Sequence, residues 1–199
     1  MSSVEEELKR VKFKTIFLSN EAPNEKEIGE LKYWCNQFHK NNLAPHSKGG
    51  SLGNLSFRIE DGFVITASGL KLKENLDNTS FVGITNYDIH KNVFYVDGVR
   101  EPSSESIMHF LIYNTRNDVN AVFHGHDEII LKNTEKLKLV VTKNEQDPGT
   151  IDLANEILDV LNDNNFIVIK NHGFVSLGRT MKEAGELALR IHKKASSMK

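Results

Sequence analysis

Two histidines separated by a single glycine are the first residues in this sequence whose types and spacing could do chemistry. His124 and His126 end the largely apolar run Val119–Phe123, which is typical of a buried strand. Residues two apart on a strand point to the same face, so both imidazoles could reach one divalent cation, for which zinc–nitrogen distances are about 2.0–2.1 Å. A second interpretation is also open, in which both rings are partly buried and hydrogen-bond to the backbone.

A third histidine follows another apolar run. Phe166–Ile169 is wholly apolar, as expected of a strand buried on both faces, and it is followed by Asn171, His172 and Gly173. A histidine at the point where a buried strand emerges could supply a third ligand. Three imidazoles would leave coordination positions open, as a catalytic zinc site requires.

Two glycine-containing loops could bind an anion. The segments Leu55–Ile59 and Phe63–Thr66 are predicted to form a hairpin, because an Asp-Gly pair lies between two strand-like runs. The loops Gly49–Asn54 and Ala67–Gly69 would then lie close together at the outer ends of that hairpin and offer backbone N–H groups. The alternative is that these glycines only make turns.

A pair of serines precedes the next helical pattern. Ser103 and Ser104 come before Ile107, where apolar residues begin to recur at helical spacing. A helix start has free N–H groups and partial positive charge, so the serines could hold a phosphate. Helix capping alone would also explain them, and Glu105 could simply complement the helix dipole.

Helices and strands must position these residues. Apolar periodicity predicts an amphipathic helix over Glu25–Asn41. Two more are predicted, one opened by Pro148-Gly149-Thr150 and one by the capping box that starts at Thr180. The first 24 residues are expected to hold an edge strand or arm, with the strand-like pattern at Val11–Leu18. The segment Asp127–Asp147 is charged and poorly periodic. The other expected strands are Phe81–Thr85, Val93–Val96 and, within that charged segment, Leu137–Val141.

Composition limits the class of protein. The 199 residues are most simply one domain, 1–199, with 39% hydrophobic residues, 26% charged residues and a net charge of −2. This balance excludes a strongly basic nucleic-acid binder, and no apolar stretch is long enough to span a membrane. We therefore expect a cytoplasmic protein. Its one cysteine, Cys35, excludes an internal disulfide and is expected to pack in the core.

Taken in order, these motifs resemble the class II aldolase/adducin family. The resemblance extends from about Ile28 to Lys194 and is greatest to the branch of L-fuculose-phosphate aldolase and L-ribulose-5-phosphate 4-epimerase, because a carboxylate follows the two serines. The motifs that carry it are Gly53–Arg58, Ile65–Gly69, Pro102–Glu105, His124–His126, Asn171–Gly173, Gly178 and Glu183-Ala184.

The resemblance implies an α/β fold, a three-layer α/β/α sandwich around a largely antiparallel central sheet, usually assembled as a homotetramer. It also implies a Zn²⁺ ion or another divalent cation bound by His124, His126 and His172, with Glu105 as the acid/base beside or on the metal. The residues implied to hold a substrate phosphate are Asn54, Ser68, Gly69, Ser103 and Ser104.

The implied activity is that of a zinc-dependent lyase, an aldolase that acts on a phosphorylated ketose through a metal-stabilised enediolate. A sugar-phosphate epimerase or dehydratase, or a non-catalytic adducin-like binding module, are the alternatives. The sequence departs from the aldolase and epimerase pattern in having no tyrosine after Tyr113. Glu145 distantly resembles the acid/base region of related dehydratases and is a second candidate for that role.

Overall fold

A mixed β-sheet forms the centre of the computed structural model, which describes residues 13–198. Within these residues nine strands pair in the order β1-β7-β6-β5-β4-β8-β11-β10-β9, and β2 and β3 form a separate small sheet. The strands are β1 (Lys14–Ser19), β2 (His46–Ser47), β3 (Gly50–Ser51), β4 (Asn54–Ile59), β5 (Gly62–Thr66), β6 (Phe81–Asp88), β7 (Val93–Asp97), β8 (Ala121–Gly125), β9 (Val140–Val141), β10 (Phe166–Ile169) and β11 (Gly173–Gly178).

Most strand pairs of the large sheet are antiparallel. The two parallel pairs, β1 with β7 and β9 with β10, lie at its opposite edges. The expected largely antiparallel sheet is therefore confirmed. The expected hairpin is present as β4 and β5, and β1 is the expected edge strand. Of the segment Val11–Leu18, positions 11 and 12 lie outside the described residues.

Helices cover both faces of the large sheet. They are α1 (Ile28–Lys40), α2 (Ser106–Thr115), α3 (Glu128–Lys132), α4 (Thr134–Leu137), α5 (Ile151–Leu161) and α6 (Met181–Ser196), with a short 3₁₀ turn at Asn78–Ser80. Within residues 13–198, none of the helices has both the length and the apolar character needed to cross a membrane.

Alternating strand residues divide the core between the two faces. Val122 packs in the cluster that includes α2 and α5, whereas the next residue, Phe123, packs in the cluster that includes α1 and α6. Val175 and Phe174 on β11 divide in the same way. Successive side chains of a strand point to opposite faces, so both faces of the sheet are buried. This arrangement confirms the three-layer α/β/α sandwich.

The charged segment Asp127–Asp147 is more ordered than the sequence indicated. It forms α3 and α4, and α3 is capped by the Asp127 carboxylate, which accepts from the backbone N–H groups of Ile129 at 2.8 Å and Ile130 at 3.3 Å. The prediction of a strand over Leu137–Val141 is wrong in its first half. Leu137 ends α4 and Lys138 turns into the left-handed region at φ 54°, so β9 contains only Val140–Val141.

Helices α1 and α6 touch at a glycine. A Cβ atom on Gly185 would lie 2.2 Å from the Trp34 ring, so only a residue without a side chain lets the two helices approach this closely. The neighbouring Cys35 is buried, as expected, and burial raises the pKa of its thiol to about 12. It therefore packs as an uncharged core side chain.

Replacing Gly185 by Ala is expected to destabilise the protein, although alanine favours helices by about 1 kcal/mol. The added methyl would force Trp34 aside, and such overpacking typically costs about 1–3 kcal/mol. Gly29 in α1 is the matched control, because no atom lies within 4 Å of the position that a Cβ on this residue would take. Gly29→Ala should therefore leave stability unchanged or raise it. Urea unfolding of both variants measures the difference, and equal effects would contradict this packing.

Candidate metal centre and its pocket

The pairing of β8 with β11 brings three histidines together. Phe174 is opposite Gly125 in this antiparallel ladder, so the turn that precedes β11 carries His172 to the end of β8. The Nε2 atom of His124 lies 3.0 Å from Nε2 of His126 and 3.2 Å from Nε2 of His172. The structure thus brings together all three histidines that the sequence analysis selected.

The orientation of the His124 ring is set by a backbone hydrogen bond. Its Nδ1–H donates to the carbonyl oxygen of Phe174 at 2.8 Å, which leaves the Nε2 atom directed at the other two rings. His124 is fully buried, whereas His126 and His172 face a cleft. Burial lowers the pKa of His126 to about 3, so this imidazole is neutral and able to bind a metal at neutral pH.

Glycines beside the histidines allow this close packing. A Cβ on Gly125 would lie 2.6 Å from the Phe174 ring, and one on Gly173 would lie 2.4 Å from the carbonyl oxygen of Gly125. The ladder could not close at this distance with larger residues. The glycines of both histidine motifs therefore have a structural role.

Glu105 completes the cluster from the opposite side. Its Oε1 lies 3.0 Å from Nε2 of His172, and its Oε2 lies 3.2 Å from Nε2 of His124. Burial alone would raise the pKa of Glu105, but the charges and hydrogen bonds of His124 and His172 bring it well below the usual value. The carboxylate is therefore ionised.

The structure corrects two interpretations of this helix start. Helix α2 begins at Ser106, and the Glu105 side chain turns away from the helix towards the histidines, so it does not act as a residue of the first helical turn. The serines do not act as the N-cap, a position that Glu105 occupies without a side-chain capping bond. Ser103 instead accepts a long hydrogen bond of 3.4 Å from the Glu105 backbone N–H.

The four side chains fit a divalent cation. One ligand atom from each of Glu105, His124, His126 and His172 lies within 4.8 Å of the others. A tetrahedral zinc site with ligand distances near 2.0–2.1 Å would separate its ligand atoms by about 3.3 Å, close to the distances seen here. Three nitrogens and one carboxylate form a donor set that zinc commonly accepts. The cluster is therefore able to bind a divalent metal.

A chain of buried hydrogen bonds supports Glu105 from behind. The Asn54 Nδ2 group donates to Glu105 Oε2 at 2.7 Å, and Asn54 Oδ1 accepts from Nε2 of His109 at 2.6 Å. Burial lowers the pKa of His109 to about 3, so the ring is neutral and its other nitrogen accepts from the Ser56 hydroxyl at 2.7 Å. Ser56 in turn lies 2.8 Å from the Tyr113 hydroxyl.

This chain of donors has one direction, from Tyr113 towards Glu105. It fixes the Asn54 amide so that its NH₂ group faces the carboxylate. Asn54, which the resemblance implied as a phosphate-binding residue, therefore already has two protein partners. Sequence analysis missed His109, because a histidine in an apolar helical pattern resembles ordinary core. The polar residues at Asn54 and Ser56, two apart on an apolar strand, were the available signal.

All five residues implied for phosphate binding, Asn54 included, line one cleft of about 450 Å³ with Glu105, His126 and His172. An isolated bridge between Ala67 and Pro102 and a 3.2 Å bond from the Ser103 N–H to the Thr66 carbonyl bring the two loops together. Among residues 13–198, the N–H groups of Gly69 and Ser104 have no acceptor. The structure thus brings Ser68, Gly69, Ser103 and Ser104 together with Asn54 in this cleft.

Glu145 lies farther from the cluster. It is exposed, and its Oε2 accepts from Asn171 Nδ2 at 2.7 Å, next to His172 in the chain. An adjoining cleft is lined by both Glu145 and His172. The structure thus places Glu105 in the cluster and Glu145 at its rim.

The structure is therefore an α/β sandwich with a cluster of three histidines and one carboxylate that is able to hold a divalent metal. The family model for the class II aldolase and adducin N-terminal domain matches residues 30–198. The chain belongs to the class II aldolase and adducin family, as the motifs indicated.

Named relatives agree with this family. An L-fuculose phosphate aldolase of Methanocaldococcus jannaschii is 33% identical over 152 residues, which cover 68% of this chain and 77% of that protein. A 5-methylthioribulose-1-phosphate/5-deoxyribulose-1-phosphate aldolase of Rhodospirillum rubrum is 28% identical over 170 residues, covering 73% and 70%. These relatives are named as aldolases, which are lyases, so the expected class of enzyme is confirmed.

Solved structures show the same fold. A sugar-phosphate aldolase from Thermotoga maritima superposes with a TM-score of 0.72 at 18% identity, covering 86% of this chain and 92% of that one. An L-fuculose 1-phosphate aldolase gives a TM-score of 0.71 at 23% identity, covering 88% and 85%. These likenesses confirm the three-layer fold.

His109→Phe is expected to weaken metal binding, because it keeps an aromatic ring but frees the Asn54 amide that orients Glu105. Loss of such supporting hydrogen bonds typically costs about 10- to 100-fold in metal affinity. Tyr113→Phe is the matched control, since it removes only the hydroxyl at the far end of the chain of hydrogen bonds, and it should leave affinity near that of the wild type. Competition titration with a chromophoric zinc chelator measures both. Wild-type affinity in His109→Phe would show that the chain of hydrogen bonds does not orient Glu105.

Proposed function

We propose that this chain is a zinc-dependent aldolase that cleaves a phosphorylated ketose into a phosphate-bearing fragment, such as dihydroxyacetone phosphate, and an aldehyde. One observation carries the proposal. The cluster residues Glu105, His126 and His172 line the same cleft as the two loops that offer N–H and hydroxyl groups. A ketose 1-phosphate has its carbonyl on the carbon next to the one that carries the phosphate, so both groups would lie within one cleft. Relatives named as aldolases of phosphorylated ketoses support this substrate class.

Each group in the cleft has a role in this proposal. Ser68, Gly69, Ser103 and Ser104 hold the phosphate and so orient the reacting carbons. A divalent cation held by the three histidines would supply a Lewis acid for the carbonyl and hydroxyl oxygens. Glu105 moves a proton to or from the carbon beside the carbonyl. The hydrogen bond from Asn54 holds the Glu105 carboxylate towards the cleft.

Epimerisation or dehydration of a sugar phosphate is the second candidate. It is favoured by Glu145, a second carboxylate that lines the cleft adjoining His172. A non-catalytic binding module, as in adducin, is the third. The close cluster of Glu105 with three histidines counts against it, because a scaffold does not need four metal-binding groups within 4.8 Å.

Product analysis distinguishes the candidates. The zinc-loaded protein, incubated with a panel of ketose phosphates, is expected to release an aldehyde that a coupled alcohol dehydrogenase detects. A product with the same number of carbons as the substrate would instead identify an epimerase or dehydratase. Protein that binds no divalent metal and converts no sugar phosphate would indicate the binding module.

Single substitutions separate metal binding from proton transfer. His126→Ala should lose stoichiometric metal and activity, because it removes a ligand that faces the cleft. Glu105→Gln keeps the shape of the side chain and one acceptor oxygen and leaves the three histidines in place, so it should retain metal while kcat falls by about 100-fold or more. Metal analysis and initial rates measure the two effects.

Glu145→Gln is the matched control for the carboxylate, since this residue lies at the rim of the cleft. It should leave kcat near the wild-type value. If Glu105→Gln kept the full rate and Glu145→Gln lost it, the acid/base would be Glu145.

The assembly implied by the resemblance and the location expected from the composition belong to the same proposal. We infer a cytoplasmic homotetramer, a tetramer being usual in this family. Sedimentation equilibrium of the purified protein is expected to give a mass four times the 22.5 kDa of one chain.

A further inference from the structure

Lys73 is a buried lysine that the cluster and the loops described above do not use. It follows the Ala67–Gly69 loop, and its side chain is only 2% exposed. Burying an ammonium group is costly unless the charge is paired. Such a residue needs an explanation that core packing does not supply.

The Lys73 ammonium has no direct partner within the described residues. None of residues 13–198 forms a hydrogen bond or ion pair with the Lys73 ammonium, although every fully buried side-chain nitrogen and oxygen among them has a hydrogen-bond partner. The ammonium must therefore keep access to solvent, and Lys73 does line the cleft of about 450 Å³. An unpaired cation on a buried side chain thus faces the cavity.

The nearby acidic groups do not neutralise it. Burial lowers the pKa of Lys73 to about 8, with Cys35 and Glu105 acting in the opposite direction. The Cys35 thiol is uncharged at neutral pH, because its own pKa is raised to about 12. The Glu105 carboxylate is already bonded to Asn54 and the histidines. At pH 7 Lys73 remains a cation without a dedicated counter-ion.

The charge balance of the cleft indicates its occupant. Among the described residues that line it, Lys73 and Glu105 are the only lysine, arginine, aspartate or glutamate side chains. Arg100 approaches from behind, where its Nη2 lies 3.5 Å from the Ser68 carbonyl oxygen, and it does not line the cleft. Ser68, Gly69 and Ser104 offer neutral donors only. Lys73 is the only lysine among the described residues that line the cleft. A dianionic ligand bound to these donors would therefore have Lys73 as its lysine counter-charge.

We propose that Lys73 supplies the counter-charge for the substrate's phosphate group and so makes the site selective for phosphorylated over unphosphorylated ketoses. This inference rests on the proposed function, because it assigns a specificity residue to that same cleft. It adds a charged group to a set of donors that are otherwise neutral. Charge-assisted hydrogen bonds are about twice as strong as neutral ones, so Lys73 would contribute a large part of phosphate affinity.

The test is direct binding of inorganic phosphate to the zinc-loaded protein by isothermal titration calorimetry. Lys73→Met is expected to weaken phosphate binding by about 10- to 100-fold, the loss of one charge-assisted hydrogen bond. Lys71→Met is the matched control, because it removes the same charge from an exposed position two residues earlier. It should change the affinity by less than about twofold.

A thermal-stability measurement accompanies the titration. Lys73→Met should raise the melting temperature at pH 7 in the absence of phosphate, because it removes an unpaired buried charge, and added phosphate should stabilise it less than the wild type. A structural lysine would show the opposite, a lower melting temperature with an unchanged response to phosphate. Lys73→Gln, which keeps a polar side chain of similar shape, serves as a second variant in case Lys73→Met does not fold.

The outcomes separate this inference from the proposed function. Wild-type phosphate affinity in a folded Lys73→Met or Lys73→Gln protein would overturn the role of Lys73. If phosphate binding depends on Lys73 but no ketose phosphate is cleaved, the phosphate site stands and the aldolase proposal fails. If cleavage occurs and kcat falls in Lys73→Gln while KM stays unchanged, Lys73 acts on the reacting atoms and its assignment to phosphate is wrong.

Discussion

The antiparallel register between β8 and β11 is the constraint on which the candidate site depends. A slip of one residue would move every side chain of β11 to the opposite face of the sheet. Core packing prevents that slip, because Phe123 and Phe174 are buried in one layer while Val122 and Val175 are buried in the other. The position of His172 beside His124 therefore follows from hydrophobic burial on both faces. The metal-binding geometry is a by-product of the same alternation that forms the core.

A second constraint comes from polar residues inside that core. Asn54, Ser56 and Arg58 occupy alternate positions of β4 and all bond towards α2 or the segment after it. Such a network is favourable only when each of its groups has a partner, as is the case within the described residues. It links helix α2 to the sheet and holds the start of that helix, with Glu105, against the histidines. The stability of the sandwich and the orientation of the Glu105 carboxylate thus depend on the same hydrogen bonds.

The regular parts of this fold could be predicted from the sequence. The alternation around the Asp-Gly turn gave the β4–β5 hairpin, the three- and four-residue spacing from Ile28 gave α1, and the histidines after two apolar strands gave the cluster. The charged segment after Asp127 was not predicted, because helices of one turn have too few residues to show a period. Their formation depends on the Asp127 cap and on tertiary packing.

The site residues also differed in how far the sequence could predict them. The histidines and Glu105 were recognisable because several motifs occurred in one order, whereas Lys73 lies in a Leu-Lys-Leu-Lys run in which Lys71 is exposed and Lys73 buried. Nothing in the two residue types distinguishes them. Only the position of the loop beside the cleft does so. A side chain's burial is decided by the whole fold, so a single lysine carries no local signal of it.

The wide sequence separation within the cluster has a consequence for folding. Glu105 and His172 are 67 positions apart, and Asn54 and Glu105 are 51 apart, so the four ligands and their support come from distant parts of the chain. Contacts of such high contact order form slowly and late, after long loops have closed. Metal affinity should therefore arise only once β4, β8, β11 and helix α2 have packed together, since the four ligands and Asn54 lie on these elements or directly beside them. A cation should therefore bind tightly only to molecules in which the sheet has formed, so metal occupancy would report on the folded fraction of the protein.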